Sequence, residues 1–257
     1  MNKVTMKDIA LMAGVSKATV SMVINNKDES ISTDTKEKVL KICREMNYVP
    51  NSIARSLSTK KTQTIGIIVP DITNPFFSEI CRAIEDAASD RKYNIFLCNT
   101  DNKALKEKEY LELLISKLVD GVILISHSNN NDSIKFFKNN NIPFVVLDRY
   151  MKSSEDYYGV FCNEEKGIKE AIEYLYYKKN RRKIAFVTGN MSLEISRRRL
   201  GRFKEEVKKL NIYNENIIKQ GDFTLESGIK ATGELIKSGH AFDGILYSND
   251  LMAFGGN

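Results

Sequence analysis

The chain has 257 residues, 42% hydrophobic and 9% aromatic, with a formal net charge of +6; this is enough apolar material for packed cores and excludes wholesale disorder. The charge is uneven: residues 1–62 hold 11 Lys/Arg and 6 Asp/Glu, net +5, and the remainder holds 28 basic and 27 acidic residues, net +1. A basic small domain on a near-neutral large one points to a polyanion partner for the small domain alone.

The stretch Thr5 to Asn25, TMKDIALMAGVSKATVSMVIN, predicts two short helices around a tight turn. Thr5 is a good N-cap, and Ile9, Ala10 and Ala13 share one face at helical spacing. Gly14 stops the first helix, because glycine accepts the left-handed conformation of a helix end. Ser16 caps the second helix, whose inward residues are Val20 and Val23. Lys17, Ala18, Ser21, Met22 and Asn25 face outward. Small polar groups on an exposed second helix suit insertion into a major groove, where bulky side chains would hold the backbone off the base edges. An ordinary helical hairpin packed in a core fits the same pattern.

A third helix is expected after Ser32, with Asp34 in its first turn and an apolar stripe of Val39, Leu40, Ile42, Cys43 and Met46. Asn51 to Leu57, NSIARSL, is amphipathic but too short for a stable isolated helix, so it should fold only against a partner. STKKTQT reads as a plain linker.

From Thr64 the pattern alternates strand and helix. The apolar runs are IGIIV (65–69), NIFLC (94–98), GVILI (121–125), FVVL (144–147), KIAFV (183–187) and GILYS (244–248). They are continuous rather than alternating, which suits strands buried on both faces of a parallel sheet. Asn74-Pro75 predicts the start of a helix running to about Arg91, and Asn163 caps another. Polar or aromatic residues follow several strands: Pro70-Asp71 with Phe76-Phe77 beyond, Asp148-Arg149, Thr188-Gly189 and Asn249-Asp250. Ligands of such folds bind at the carboxyl ends of strands, so a cleft for a small polar molecule is expected there.

No run approaches a membrane span. The N-terminus has neither an extended apolar region nor a small-residue cleavage site, so a cytoplasmic protein is expected. Cys43, Cys81, Cys98 and Cys162 lack metal-ligand or redox spacing and read as reduced, buried thiols. His127 and His240 are isolated. With no glycine-rich phosphate loop, nucleophile elbow or histidine pair, neither an enzyme, a metal site nor a cofactor is expected.

Taken together, TMKDIALMAGVSKATVSMVINN, STDTKEKVLKICREMNYVPN, IARSLSTKKTQTIGIIVPD, ITNPFFSEICRAIEDAA, KLVDGVIL, IPFVVLDR, GDFTLESG and YSNDLMAFG resemble, in order, the lactose-repressor (LacI/GalR) family of bacterial transcription regulators. The resemblance covers essentially the whole chain. It implies a helix-turn-helix domain (1–50), a hinge helix and linker (51–62) and a two-lobed α/β domain like periplasmic binding proteins (63–257, lobes dividing near 160). It implies a homodimer on double-stranded operator DNA, repressing carbohydrate-utilisation genes under a sugar or sugar-phosphate effector. Lys17, Ala18 and Met22 would face base edges, and Thr5, Ser16, Thr19, Ser21 and Asn25 the phosphates. Ala54 and Leu57 would wedge the minor groove from the hinge helix. Phe76, Asp148, Phe161, Arg199, Phe223 and Asn249 match effector positions. A sugar-binding protein without DNA function is the alternative; the basic N-terminal quarter argues against it.

The sequence also departs from the family. Met22 stands where arginine is common, Arg202 where glycine is usual and Cys162 where aspartate is frequent. Family members continue past AFGGN with further strands and helices. The resemblance therefore implies a truncated second lobe, with reduced stability and impaired effector response.

Overall fold

The computed structural model describes residues 4–50, 56, 61–126, 131–151, 153 and 156–257. The chain forms two compact units, Met1–Thr62 and Gln63–Asn257.

The first unit contains α1 (Met6–Ala13), α2 (Lys17–Ile24) and α3 (Thr33–Glu45). Thr5 and Asp8 close a reciprocal capping box on α1. The Thr5 side chain accepts from the Asp8 amide, and Asp8 Oδ2 accepts from the Thr5 amide at 2.8 Å. The Thr5 hydroxyl, donating to Asp8 Oδ2 at 2.7 Å, and the Thr5 amide hold the Asp8 carboxyl below its usual range. Gly14 follows α1 with φ = +69°, the conformation expected of it. Ser16 Oγ accepts from the Thr19 amide at 3.0 Å to cap α2. Ile9, Ala13, Val20, Val23, Val39 and Ile42 form the buried centre, with Leu40, Cys43 and Tyr48 at its margin. Met46, expected in the α3 stripe, instead lies exposed at the C-cap. It sits where the helix has already ended, so its side chain leaves the buried face. The hinge segment carrying Ala54 and Leu57, and also His127, lies outside the described residues.

The second unit holds two parallel sheets. β1 (Thr64–Val69), β2 (Asn94–Asn99), β3 (Gly121–Leu124), β4 (Phe144–Leu147) and β5 (Gly159–Val160) pair in the order β2-β1-β3-β4-β5. α4 (Pro75–Ser89), α5 (Ala104–Ser116) and α6 (Asp132–Asn139) connect the first four strands. β6 (Ile184–Thr188), β7 (Ile218–Gln220) and β8 (Gly244–Tyr247) pair in the order β7-β6-β8, with α7 (Glu164–Glu173) before them. α8 (Glu194–Lys209), α9 (Leu225–Lys237) and α10 (Asp250–Gly256) complete the chain.

The strand period of two decides which core each side chain joins. On β1, Ile68 packs with Leu114 of α5 and Phe137 of α6, whereas Ile67 and Val69 pack with Phe77 of α4. On β6, Ile184 and Phe186 face Ile172 of α7 and Phe203 of α8, and Ala185 and Val187 face Leu235 of α9 and Met252 of α10. Both central strands are thus covered on two sides, as continuous apolar runs require.

β2 departs from that expectation. It is an edge strand, and Phe96 and Leu97 are 41% and 48% exposed. The short strands β5 and β7 carry no apolar run and escape a reading by hydrophobicity. α4 ends at Ser89, two residues before the expected Arg91. Cys162 is exposed rather than buried, while Cys98 is buried and its thiol is pushed up to about 11 by burial.

α9 and α10 approach through glycines. A methyl group on Gly228 would overlap the Met252 backbone, and one on Gly255 would overlap the Leu225 carbonyl. Gly228→Ala should therefore destabilise the second unit by about 1–3 kcal/mol, despite the better helix propensity of alanine. Urea unfolding of the two proteins checks this; an unchanged midpoint would mean the helices can separate freely.

Candidate functional site

Two surfaces carry the expected site residues. On the first unit, α2 begins with Lys17 and Ala18, both exposed, and ends against exposed Asn25. Ser21 and Met22 are half-buried on the same helix, because Val20 and Val23 hold the opposite face in the core. Asn25 Nδ2 donates to the Ser21 carbonyl at 2.8 Å, which fixes the amide at the helix end. Thr5, Ser16 and Thr19 are bound into the caps, with Ser16 Oγ 2.9 Å from Thr19 Oγ1. The helix starts present amide N–H groups and hydroxyls, which is chemistry suited to phosphate oxygens. Lys17 and Met22 offer an ammonium and an apolar thioether to whatever α2 meets.

On the second unit, a cavity of about 620 Å³ lies at the carboxyl ends of both sheets. From the first sheet it takes Asp71, Asn74, Phe76 and Phe77 after β1, and Asp148-Arg149 after β4. From the second it takes Arg199 on α8, Asp222-Phe223-Thr224 after β7, and Ser248, Asn249 and Asp250 after β8. The volume suits a small organic ligand.

Asp148 and Phe223, two of the residues with positive φ, line this cavity. Asp148 has φ = +65°, and the Arg149 amide donates to the Leu147 carbonyl at 2.7 Å, closing a three-residue turn around it. Turns of this kind with positive φ are rare and strained. Phe223 has φ = +76°, unusual for a bulky side chain. Asn249 braces it: Nδ2 donates to the Phe223 carbonyl at 2.9 Å, while Oδ1 accepts from the Met252 amide at 3.2 Å and caps α10. The Phe223 ring covers Gly189, where a methyl group would collide with it.

Asp148 is 7% exposed, and its carboxylate accepts no hydrogen bond among the described residues. Burial raises its carboxyl above the usual range, with Arg149 and Arg199 pulling the other way. Arg149 donates to the Ser126 carbonyl at 3.3 Å and lies 5.5 Å from the Phe77 ring centre. Burial lowers its guanidinium to about 10. Arg199 donates to the Ser248 carbonyl at 2.6 Å. Asp71 and Asp222 match each other across the cavity. Oδ1 of each accepts the amide and hydroxyl of the threonine two residues on, Thr73 and Thr224. The Asp222 carboxyl lies below its usual range: burial raises it, and hydrogen bonds from Thr224 and Ser227 outweigh that.

Phe76, Asp148, Arg199, Phe223 and Asn249 all line the cavity. Phe161 does not; it stacks on Tyr150 at 3.9 Å between ring centres. Of the strand-end residues, Thr188 and Gly189 are also absent from the lining, since Thr188 turns its hydroxyl onto the Gly189 carbonyl at 2.8 Å. Arg202 pairs with Glu206 at 2.8 Å within α8, and Cys162 stays outside, so neither departure from the family pattern reaches the cavity. Asn74, Asn190 and Phe254 line it without having been singled out from the sequence. Asn74 carried a signal, but as a helix cap.

Among the described residues, no group of three or more His, Cys, Asp or Glu side chains is placed to hold a metal, and no helix is long and apolar enough to cross a membrane. The family of bacterial regulatory proteins named lacI matches residues 5–51, and the family of periplasmic binding proteins and sugar binding domains of LacI regulators matches residues 62–257. The ribose operon repressor of Halalkalibacterium halodurans is 39% identical over 98% of this chain and 73% of its own length. Catabolite control protein A of Priestia megaterium is 34% identical over 98% of this chain and 76% of its own. The lac repressor dimer bound to operator and the anti-inducer ONPF superposes with a TM-score of 0.87 at 26% identity, covering 99% of this chain and 76% of that one. This chain therefore spans about three quarters of the length of these relatives.

Removing the Asn249 amide takes away a helix cap and the brace on a strained residue. Asn249→Ala should lower stability by about 1–2 kcal/mol. A thermal melt reads this directly, and an unchanged transition would show that water replaces both hydrogen bonds.

Proposed function

This chain belongs to the LacI family of bacterial regulatory proteins, and from that premise we propose that it represses carbohydrate-utilisation genes as a homodimer on a near-palindromic operator. Its operator affinity is set by a sugar-like effector held in the cavity of the second unit. The observation that carries this reading is one chain with an exposed polar-capped helix in a basic unit and a cavity with a buried carboxylate, Asp148, that accepts no hydrogen bond among the described residues. Lys17, Ala18 and Met22 read bases, and Thr5, Ser16, Thr19, Ser21 and Asn25 contact or orient along phosphates. Ala54 and Leu57 wedge the minor groove. Asp148, Arg199, Phe76 and Phe223 hold the effector, with Asn249 shaping its wall. A second copy would cover the apolar surface of the edge strand at Phe96 and Leu97, and the protein acts in the cytoplasm without catalysis.

The mechanism is linkage. An effector that binds one arrangement of the lobes more tightly shifts the population toward it, and operator affinity changes by the same coupling factor. The 39% identical relative is named for the ribose operon, which makes free ribose the first ligand to test.

Selection from random duplex DNA should enrich a palindromic motif, and its affinity should fall steeply with salt. A monomeric half-site, or no motif, would overturn the dimeric reading. Met22→Arg adds a bidentate donor and should shift preference toward guanine by about 1–3 kcal/mol; an unchanged sequence profile rejects the contact.

Effector affinity should depend on pH. Ionised Asp148 accepts ligand hydroxyls, and its pKa is raised by burial. Binding is therefore full above that raised pKa and weakens as pH falls through it, over a range that lies above that of an ordinary aspartate. Calorimetry across this range, flat for Asp148→Asn and sloped for the natural chain, is the expected result.

A further inference from the structure

The cavity takes up the carboxyl ends of the strands, and the opposite end of the second sheet carries a feature it does not use. Between α7 and β6 the chain reads YLYYKKNRRK, residues 174–183. Five of the last six side chains are cationic and none is acidic. The remainder of residues 63–257 holds 23 basic and 27 acidic side chains, so the positive charge is local to this segment.

Lys178, Lys179, Arg181, Arg182 and Lys183 are all exposed, and none forms an ion pair among the described residues. On α8, by contrast, Arg202, Lys204 and Lys209 each pair with a glutamate. Two acids beside the run are engaged otherwise. Glu173 lies 3.7 Å from Lys169, and Asp243 accepts the main-chain amides of Arg182 and Lys183 at 2.8 and 2.9 Å.

Hydrogen bonds hold the segment in one shape. Tyr174–Lys178 forms a π-helical turn, a form frequent at functional sites. The Lys179 amide donates to the Tyr174 carbonyl at 3.0 Å, and the Arg181 amide to the Leu175 carbonyl at 2.9 Å. Arg182 donates to the Tyr176 carbonyl at 2.6 Å, and its guanidinium lies 3.9 Å from the Tyr176 ring centre. Tyr177 meets Tyr176 edge to face at 4.9 Å between ring centres and remains 65% exposed. Tyr174 is also exposed.

Cations alone would serve any polyanion. An exposed tyrosine adds a platform for an unpaired base, which a duplex keeps within its own stack. We propose that residues 174–183 form a surface for single-stranded nucleic acid, separate from the helices of the first unit. Phosphates lie along Lys178, Lys179, Arg181 and Lys183, and a base stacks on Tyr177, while Arg182 and Tyr176 brace the turn. An acidic protein would leave the exposed rings without a partner. An anionic membrane would call for apolar side chains to insert, and the one aliphatic residue of the segment, Leu175, packs against the core.

The test is fluorescence anisotropy of the full 257-residue chain with labelled oligo(dT) and oligo(U), beside duplex DNA, poly-glutamate and phosphatidylglycerol vesicles. The natural chain should bind both single strands, more weakly as salt rises. Tyr177→Ala should weaken that binding about tenfold, and Tyr177→Phe, which keeps the ring, should retain it. Lys178→Gln combined with Arg181→Gln should reduce the slope of log affinity against log salt by about 1.4, since each phosphate contact on a single strand contributes about 0.7. Melting temperatures check that the variants fold; if Tyr177→Ala does not, the Lys178 and Arg181 changes carry the test. Failure to bind single strands overturns the proposal, as does binding that every folded variant leaves unchanged. Duplex binding weakened by the Lys178 and Arg181 changes, with Tyr177→Ala neutral on single strands, overturns it in favour of a duplex-backbone contact. Binding of poly-glutamate or vesicles without single strands overturns it in favour of an acidic protein or a membrane.

Discussion

Parallel pairing of β1 with β2 and β3, and of β6 with β7 and β8, sends each crossover back across the sheet and each carboxyl end to one edge. The cavity follows from that constraint. Its polar residues sit on loops that begin where strands stop: Asp71 after β1, Asp148 after β4, Asp222 after β7 and Asn249 after β8. The hydrophobic layers beneath, Ile67 and Val69 in one sheet and Ala185 and Val187 in the other, fix where those loops start.

Packing and strain are coupled at this edge. Gly228 and Gly255 let α9 and α10 approach closely, and this places Asn249 at the mouth of the cavity as the cap of α10. From there its amide holds Phe223 in a backbone conformation that a bulky residue rarely adopts. Strained residues persist where their surroundings over-determine them, and such places tend to be sites of function. Asp148 and Phe223 both meet that description on opposite sides of one cavity.

The order of strands and helices was legible because each central strand is a continuous apolar run and several helices begin with a recognisable cap, as at Ser32, Asn74 and Asn163. The strand-end polar residues foretold the cavity for the same topological reason. What periodicity could not show was exposure at an edge. Phe96 and Leu97 look like core residues until strand order puts β2 outermost. Phe161 matched a pocket position, but its ring stacks on Tyr150, a partner that sequence separation hides. The burial of Glu107 and Glu164 was hidden too, since a glutamate in a helix reads as solvated until its neighbours are known. The hinge wedge, Ala54 and Leu57, rests on likeness alone.

The positive φ of Asp148 also bears on how this cavity can change over generations. Most residues would be strained at that position, whereas asparagine, aspartate and glycine tolerate it. Asparagine is a single-base change from aspartate, and it removes a charge while keeping the turn. The backbone thus channels mutation at this site along a short path that alters ligand chemistry before it alters the fold. A lineage can then try new effectors on an unchanged scaffold.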